Sequence, residues 1–195
     1  MAPLLLPLRP VVPLDVQNVA FQLVTEIALG SHGLFGKQNI YEDGMRVPFF
    51  IAGPGIERGK SDALVYLHDI LPTIADFAGT PVTQPLDGRS LRPVIEGKSK
   101  GVRKVLSLAY KNTQRSIRDS RWKLMVFPQI NKHQLFDLQN DPHEITDLAT
   151  DPEHKPQVER LTALLSTSKN ATATSSHSNQ RNRSPQNSPS PRRPR

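Results

Sequence analysis

A chain of 195 residues has room for one domain with a core, although its 36% hydrophobic share is low and its 18 prolines are many. All but one unit of the formal net charge of +7 sits on Lys169, Arg181, Arg183, Arg192, Arg193 and Arg195, so the basic pI of about 9.9 belongs to the tail and argues against a basic binding domain. The absence of cysteine excludes a disulfide framework, a zinc–thiolate site and a cysteine nucleophile.

Residues 1 to about 18 read as irregular or extended. The leucines Leu4 to Leu6 are interrupted by Pro3, Pro7, Pro10 and Pro13 and follow no charged segment, so a signal peptide is not expected. No run approaches the roughly 20 apolar residues needed to cross a bilayer. Val19 to Leu29 is apolar and short, and its periodicity fits a strand or a helix equally. The next stretch is the densest in chemistry: Gly30-Ser31-His32-Gly33-Leu34-Phe35-Gly36-Lys37-Gln38-Asn39-Ile40-Tyr41-Glu42-Asp43-Gly44-Met45-Arg46-Val47-Pro48. Its glycines let backbone approach a ligand closely, and a lysine beside them is a ready partner for an oxyanion.

Val47 to Ala52 is an apolar run closed by Gly53-Pro54-Gly55, predicting a buried strand suited to a parallel sheet. His68 to Ala78 predicts a helix with Ile70, Leu71, Ile74, Phe77 and Ala78 on one face; Pro72 is tolerable only in its first turn, and Gly79 stops it. Pro81 to Gly97 is loop-like. Val105–Tyr110, Gln114–Arg118, Trp122–Phe127 and His133–Asp137 are strand-like runs joined by polar turns too short for a parallel crossover, so antiparallel pairing is expected. Pro152 to Leu165 predicts an amphipathic helix burying Val158, Leu161, Leu164 and Leu165. From Ser166 the composition predicts disorder.

Four stretches, in order, resemble the sulfatase family. The first is the glycine-rich loop with Lys37. The second is Tyr41-Glu42, Arg46-Val47-Pro48 and Gly53-Pro54-Gly55. The third is His68-Asp69-Ile70-Leu71-Pro72-Thr73-Ile74-Ala75-Asp76-Phe77-Ala78-Gly79. The fourth is Trp122-Lys123-Leu124 with Gln134-Leu135-Phe136-Asp137-Leu138, Asp141-Pro142-His143-Glu144 and Asp147-Leu148-Ala149. The resemblance covers roughly residues 28 to 165. It implies an alkaline-phosphatase-like α/β fold, present in part, with a small C-terminal antiparallel sheet plus helix. It also implies hydrolysis of sulfate esters, possibly of carbohydrates, by a formylglycine made from a cysteine or serine, with calcium held by Asp and Asn or His residues. Positioning and charge neutralisation suit such a reaction.

The sequence departs from that pattern where the chemistry starts. Neither a cysteine nor a serine stands in the formylglycine spacing, since Ser188-Pro189-Ser190-Pro191-Arg192 has its proline out of place. The metal ligands would fall at Val24 and Thr25, ahead of Glu26, and valine cannot bind a hard cation. Ser31-His32-Gly33 imitates the metal motif but comes too late in the register that Lys37 sets. The expectations are therefore no catalytic residue and no metal ligand in this chain, no calcium bound by it, and a truncated, catalytically impaired member of the family.

By resemblance, Lys37 contacts the sulfate and His32 lines the substrate pocket. The alternative for Lys37 is a solvated loop lysine, and His32 is equally read as a histidine bonded to backbone. Glu42 and Arg46, four apart, are expected to pair and brace the loop as structural support. Asp69 is expected to cap its helix. His133, His143 and His154 have no ligand-like spacing.

The expected organisation is a divergent N-terminal segment at 1–26, the C-terminal part of the sulfatase α/β domain at 27–100, the C-terminal subdomain at 101–165 and a disordered basic tail at 166–195. The expected partner is a sulfated small molecule or carbohydrate, with no membrane. An alternative is a non-catalytic protein binding anions through the Lys37 loop or nucleic acid through the tail, where no aromatic is available for stacking. The family is often exported, and neither compartment nor oligomeric state follows from the sequence.

Overall fold

In the computed structural model, which describes residues 20–23, 28–36, 38–80 and 82–181, the chain opens with strand β1 (Ala20–Leu23). A two-residue hairpin follows, β2 (Ala28–Leu29) against β3 (Phe35–Gly36), with the Ser31–Gly33 turn between them. The short helix α1 (Glu42–Met45) leads into β4 (Phe49–Ala52). Both described pieces of the ambiguous 19–29 segment are strand.

β4 pairs antiparallel with β1, Leu23 opposite Phe49 and Ala20 opposite Ala52. The sequence had suggested a parallel sheet. Burial alternates along β4 and Phe50 is 60% exposed, the pattern of a ribbon covered on one face.

A single 3-10 turn (Leu67–Asp69) feeds helix α2 (Ile70–Phe77). Pro72 lies in the first turn of α2, where no intrahelical N–H is lost. Phe77 is buried as expected, but Leu71 is 56% exposed and Thr73 takes the inner position. Thr73 is there for its hydroxyl, which donates to the Asp69 carbonyl (2.6 Å) and accepts the Leu91 N–H (2.9 Å). That second bond folds the 86–91 loop against α2. Gly88 is obligatory in the packing, since a Cβ there would sit 2.2 Å from the His68 carbonyl oxygen. The loop then forms a short helix, α3 (Arg92–Ile95), with proline in its first turn.

Strands β5 (Leu106–Tyr110), β6 (Gln114–Arg118), β7 (Trp122–Phe127) and β8 (Lys132–Asp137) make one antiparallel sheet in sequence order. Their two faces do different work because side chains alternate along a strand. On one face Ile117, Leu124 and Leu135 stand opposite one another and receive Leu161 and Leu165 of the last helix, α4 (Lys155–Arg181). On the other, Met125 and Phe136 pack against Ile40 from the segment before α1.

α4 continues past the expected end at Leu165. No proline or glycine interrupts the sequence between Ser166 and Arg181, and the Ser166 and Thr167 hydroxyls close onto the Thr162 and Ala163 carbonyls. The remainder of the tail lies outside the described residues. No described helix is long and apolar enough to cross a membrane.

Candidate functional site

The hairpin turn between β2 and β3 is held by three backbone bonds: Gly30 N–H to the Leu34 carbonyl, Gly33 N–H to Gly30, and Leu34 N–H to Ser31. Gly30 and Gly36 have φ of 104° and 101°, which only glycine adopts cheaply. His32, between glycines, is itself left-handed at φ 55°. A non-glycine residue in that region carries strain, and such residues concentrate at functional sites.

The His32 ring is not loose. It stacks on Tyr41 with ring centroids 3.8 Å apart and planes 9° from parallel. Its neighbour Ser31 donates to the Asp43 carboxylate, whose other oxygen lies 3.7 Å from His143 Nδ1. The Ser31 hydrogen bond, together with the nearby His143 and His32, holds the Asp43 carboxyl below its ordinary range. Loop and α1 are thus joined at both Ser31 and His32.

α1 in turn is fixed to the sheet. Tyr41 donates its hydroxyl to Gln134 Oε1 (2.9 Å). Asn39, buried, accepts the Tyr41 N–H (3.1 Å), and its side chain fills the space that a Cβ on Gly44 would need. Glu42 is 6% exposed and does not pair with Arg46 as its spacing suggested. The carboxylate turns inward, to Arg118 and to Lys123 Nζ at 3.0 Å. The two cations are cross-strand partners on the sheet face that receives Ile40, and their charge offsets a burial that solvated Arg46 could not. Arg46 contributes only its N–H, given to the Glu42 carbonyl.

Lys123 is fully buried and bridges two acids, lying 2.8 Å from Glu144. Glu144 is 2% exposed, adopts φ 58°, and accepts the Glu42 backbone N–H at 2.5 Å. Burial pushes the Glu144 carboxyl up, against the pull of Lys123 and the Glu42 N–H. A signal for Lys123 existed in the sequence: alternation along Trp122–Phe127 puts it on the same side as Met125, an inner position for a charge. Glu144 stands in the fourth family-like stretch without a role attached to it, and nothing local marked Arg118.

Asp69 makes no capping bond to α2; its carboxylate turns back instead and accepts the Tyr66 N–H (2.7 Å) at the start of the 3-10 turn. It also accepts the Arg89 N–H (2.8 Å) and both ends of the Arg103 guanidinium. Burial alone would raise its pKa, but these donors hold it below the ordinary value. His154 packs beside Trp122 and Asp151, while His143 is exposed.

Lys37, and Val24 to Glu26, where the family register puts metal ligands, lie outside the described residues. Among the described residues no three His, Asp or Glu side chains converge as a divalent cation requires.

Residues 30–171 match the family described as N-sulphoglucosamine sulphohydrolase, C-terminal. An arylsulfatase of Clostridium perfringens is 32% identical over 160 residues, which cover 77% of this chain and 33% of the relative. A choline-sulfatase of Rhizobium meliloti is 36% identical over 142 residues, 70% of this chain and 28% of the relative. Among solved structures, a protein in complex with its substrate D-glucosamine-2-N,6-O-disulfate superposes with a TM-score of 0.71 at 28% identity, covering 78% of this chain and 34% of that one. The chain therefore spans about a third of the length of these relatives. Its fold is the corresponding part of the alkaline-phosphatase-like sulfatase fold, with the small antiparallel sheet and helix expected for it. With the match running across most of its length, the chain belongs to the sulfatases, through the N-sulphoglucosamine sulphohydrolase C-terminal family.

Proposed function

We propose that this chain carries the sulfate-contacting loop of a sulfuric ester hydrolase acting on sulfated carbohydrate. The observation behind this reading is the Gly30–Gly36 turn, where a left-handed histidine is locked between glycines and stacked on Tyr41. In this reading Lys37, directly after Gly36, supplies a positive charge to the sulfate oxygens, and His32 donates to them from the loop. Both groups act by neutralising and orienting the ester, the contribution that a preorganised site makes to transfer of a charged group. The substrate-bound relative was solved with a sulfated glucosamine, which favours a sulfated amino sugar as the ligand class here.

The same reading assigns no nucleophile to the 195 residues. No cysteine is present and no serine has the spacing that formylglycine formation requires, so the isolated polypeptide binds its anion with little or no turnover. Family chemistry uses a metal ion, calcium in our reading, and among the described residues no three His, Asp or Glu side chains converge to hold one.

Isothermal titration of the purified chain with inorganic sulfate tests the assignment. Saturable binding is expected, weakened about tenfold in Lys37→Ala, the loss of one charge-assisted contact. Equal affinity in Lys37→Ala, or no binding by either protein, overturns it.

A further inference from the structure

Four charged groups meet away from the loop itself: Glu42 and Glu144, and Lys123 and Arg118. Lys123 and Glu144 are almost wholly buried, and both come from the C-terminal part of the chain. Two acids facing two bases balance in charge, which a buried cluster needs in order to persist. Their geometry points in one direction. Lys123 holds the side chain of Glu42 while Glu144 holds its backbone N–H, so the first residue of α1 is fixed at two atoms. The residue before it, Tyr41, is the one that stacks on His32 and bonds to Gln134 of β8.

We infer that Lys123 and Glu144 are positioning residues for the loop: through Glu42 and Tyr41 they set the orientation of the His32 ring. Neither touches the anion. Glu144 occupies a left-handed backbone conformation, strained for a non-glycine residue, and in that conformation its carboxylate reaches the start of α1. The sheet thereby dictates where the loop stands, and an orienting shell of this kind is what a preorganised anion site requires. The functional weight of this inference rests on the sulfate reading above, but the coupling itself does not.

The test is NMR on the full chain, reading the His32 ring-proton shifts, which carry the ring current of Tyr41, with and without inorganic sulfate. Lys123→Met is expected to shift the His32 signals toward their unstacked values and to weaken sulfate about tenfold, while Lys123→Arg restores both. Near-UV circular dichroism establishes that each variant is folded. Should Lys123→Met not fold, Glu144→Gln removes one acceptor charge from the same cluster and is expected to move the His32 signals in the same direction. A folded Lys123→Met with unchanged His32 signals overturns the inference, as does an unchanged Glu144→Gln in the second case. Signals that move in the variants while sulfate moves none, wild type included, support the positioning and reject the sulfate reading.

Discussion

Asp69 shows how one residue joins distant parts of the chain. Its two oxygens take the Arg103 guanidinium, the Tyr66 N–H and the Arg89 N–H while the side chain is fully buried. Because those donors hold its folded pKa below the unfolded one, its contribution is fully present above the ordinary Asp value of about 3.9 and is lost as pH falls below it. The urea midpoint of the wild type is therefore expected to be level near neutrality and to fall on acidification. The Asp69→Asn midpoint should fall less steeply, and its unfolding free energy near neutrality should be about 3–5 kcal/mol lower because buried Arg103 loses its partner. A wild-type midpoint that stays level through the acid range would contradict this account. The sequence singled out Asp69 and Glu42, but local spacing pointed to the wrong partners: Asp69 makes no side-chain cap on α2, and Glu42 does not meet Arg46. It concealed their partners: Glu42 meets Arg118, Lys123 and Glu144 across separations of 76, 81 and 102 residues. No local spacing encodes those pairs.

Among the elements, the four-stranded sheet was legible almost to the residue, because polar turns and strand-like runs define it independently of anything else. α1 is not legible in the sequence, since Glu-Asp-Gly-Met has weak helix propensity; its turn exists because Glu42 is held from outside, by Glu144, Arg118 and Lys123. The antiparallel pairing of β4 was likewise invisible, being fixed by a strand 26 residues earlier at the Leu23–Phe49 pair. The buried side of α4 was read correctly, with Leu161 at its centre against Ile117, Leu124 and Leu135. Leu161→Ala should cost about 2–5 kcal/mol in chemical denaturation, the range for emptying a fully enclosed leucine site. A cost below that range would mean that α4 does not seat on the sheet as described.

For the molecule as a whole, the arrangement is a scaffold with a loop mounted on it. One face of the sheet is sealed by α4, and the other receives Ile40, Tyr41 and Glu42, so that the hairpin bearing His32 is carried by charges and rings rooted in the C-terminal half. In the proposed reading the loop supplies the anion contact, while no cysteine or serine of these 195 residues stands in the formylglycine spacing. The most direct measurement is release of inorganic sulfate from an aryl sulfate by the purified 195-residue chain, beside its Lys37→Ala variant. Release no faster than in buffer is expected from both, even where the wild type binds sulfate. Sustained release by the wild type that vanishes in Lys37→Ala would contradict it.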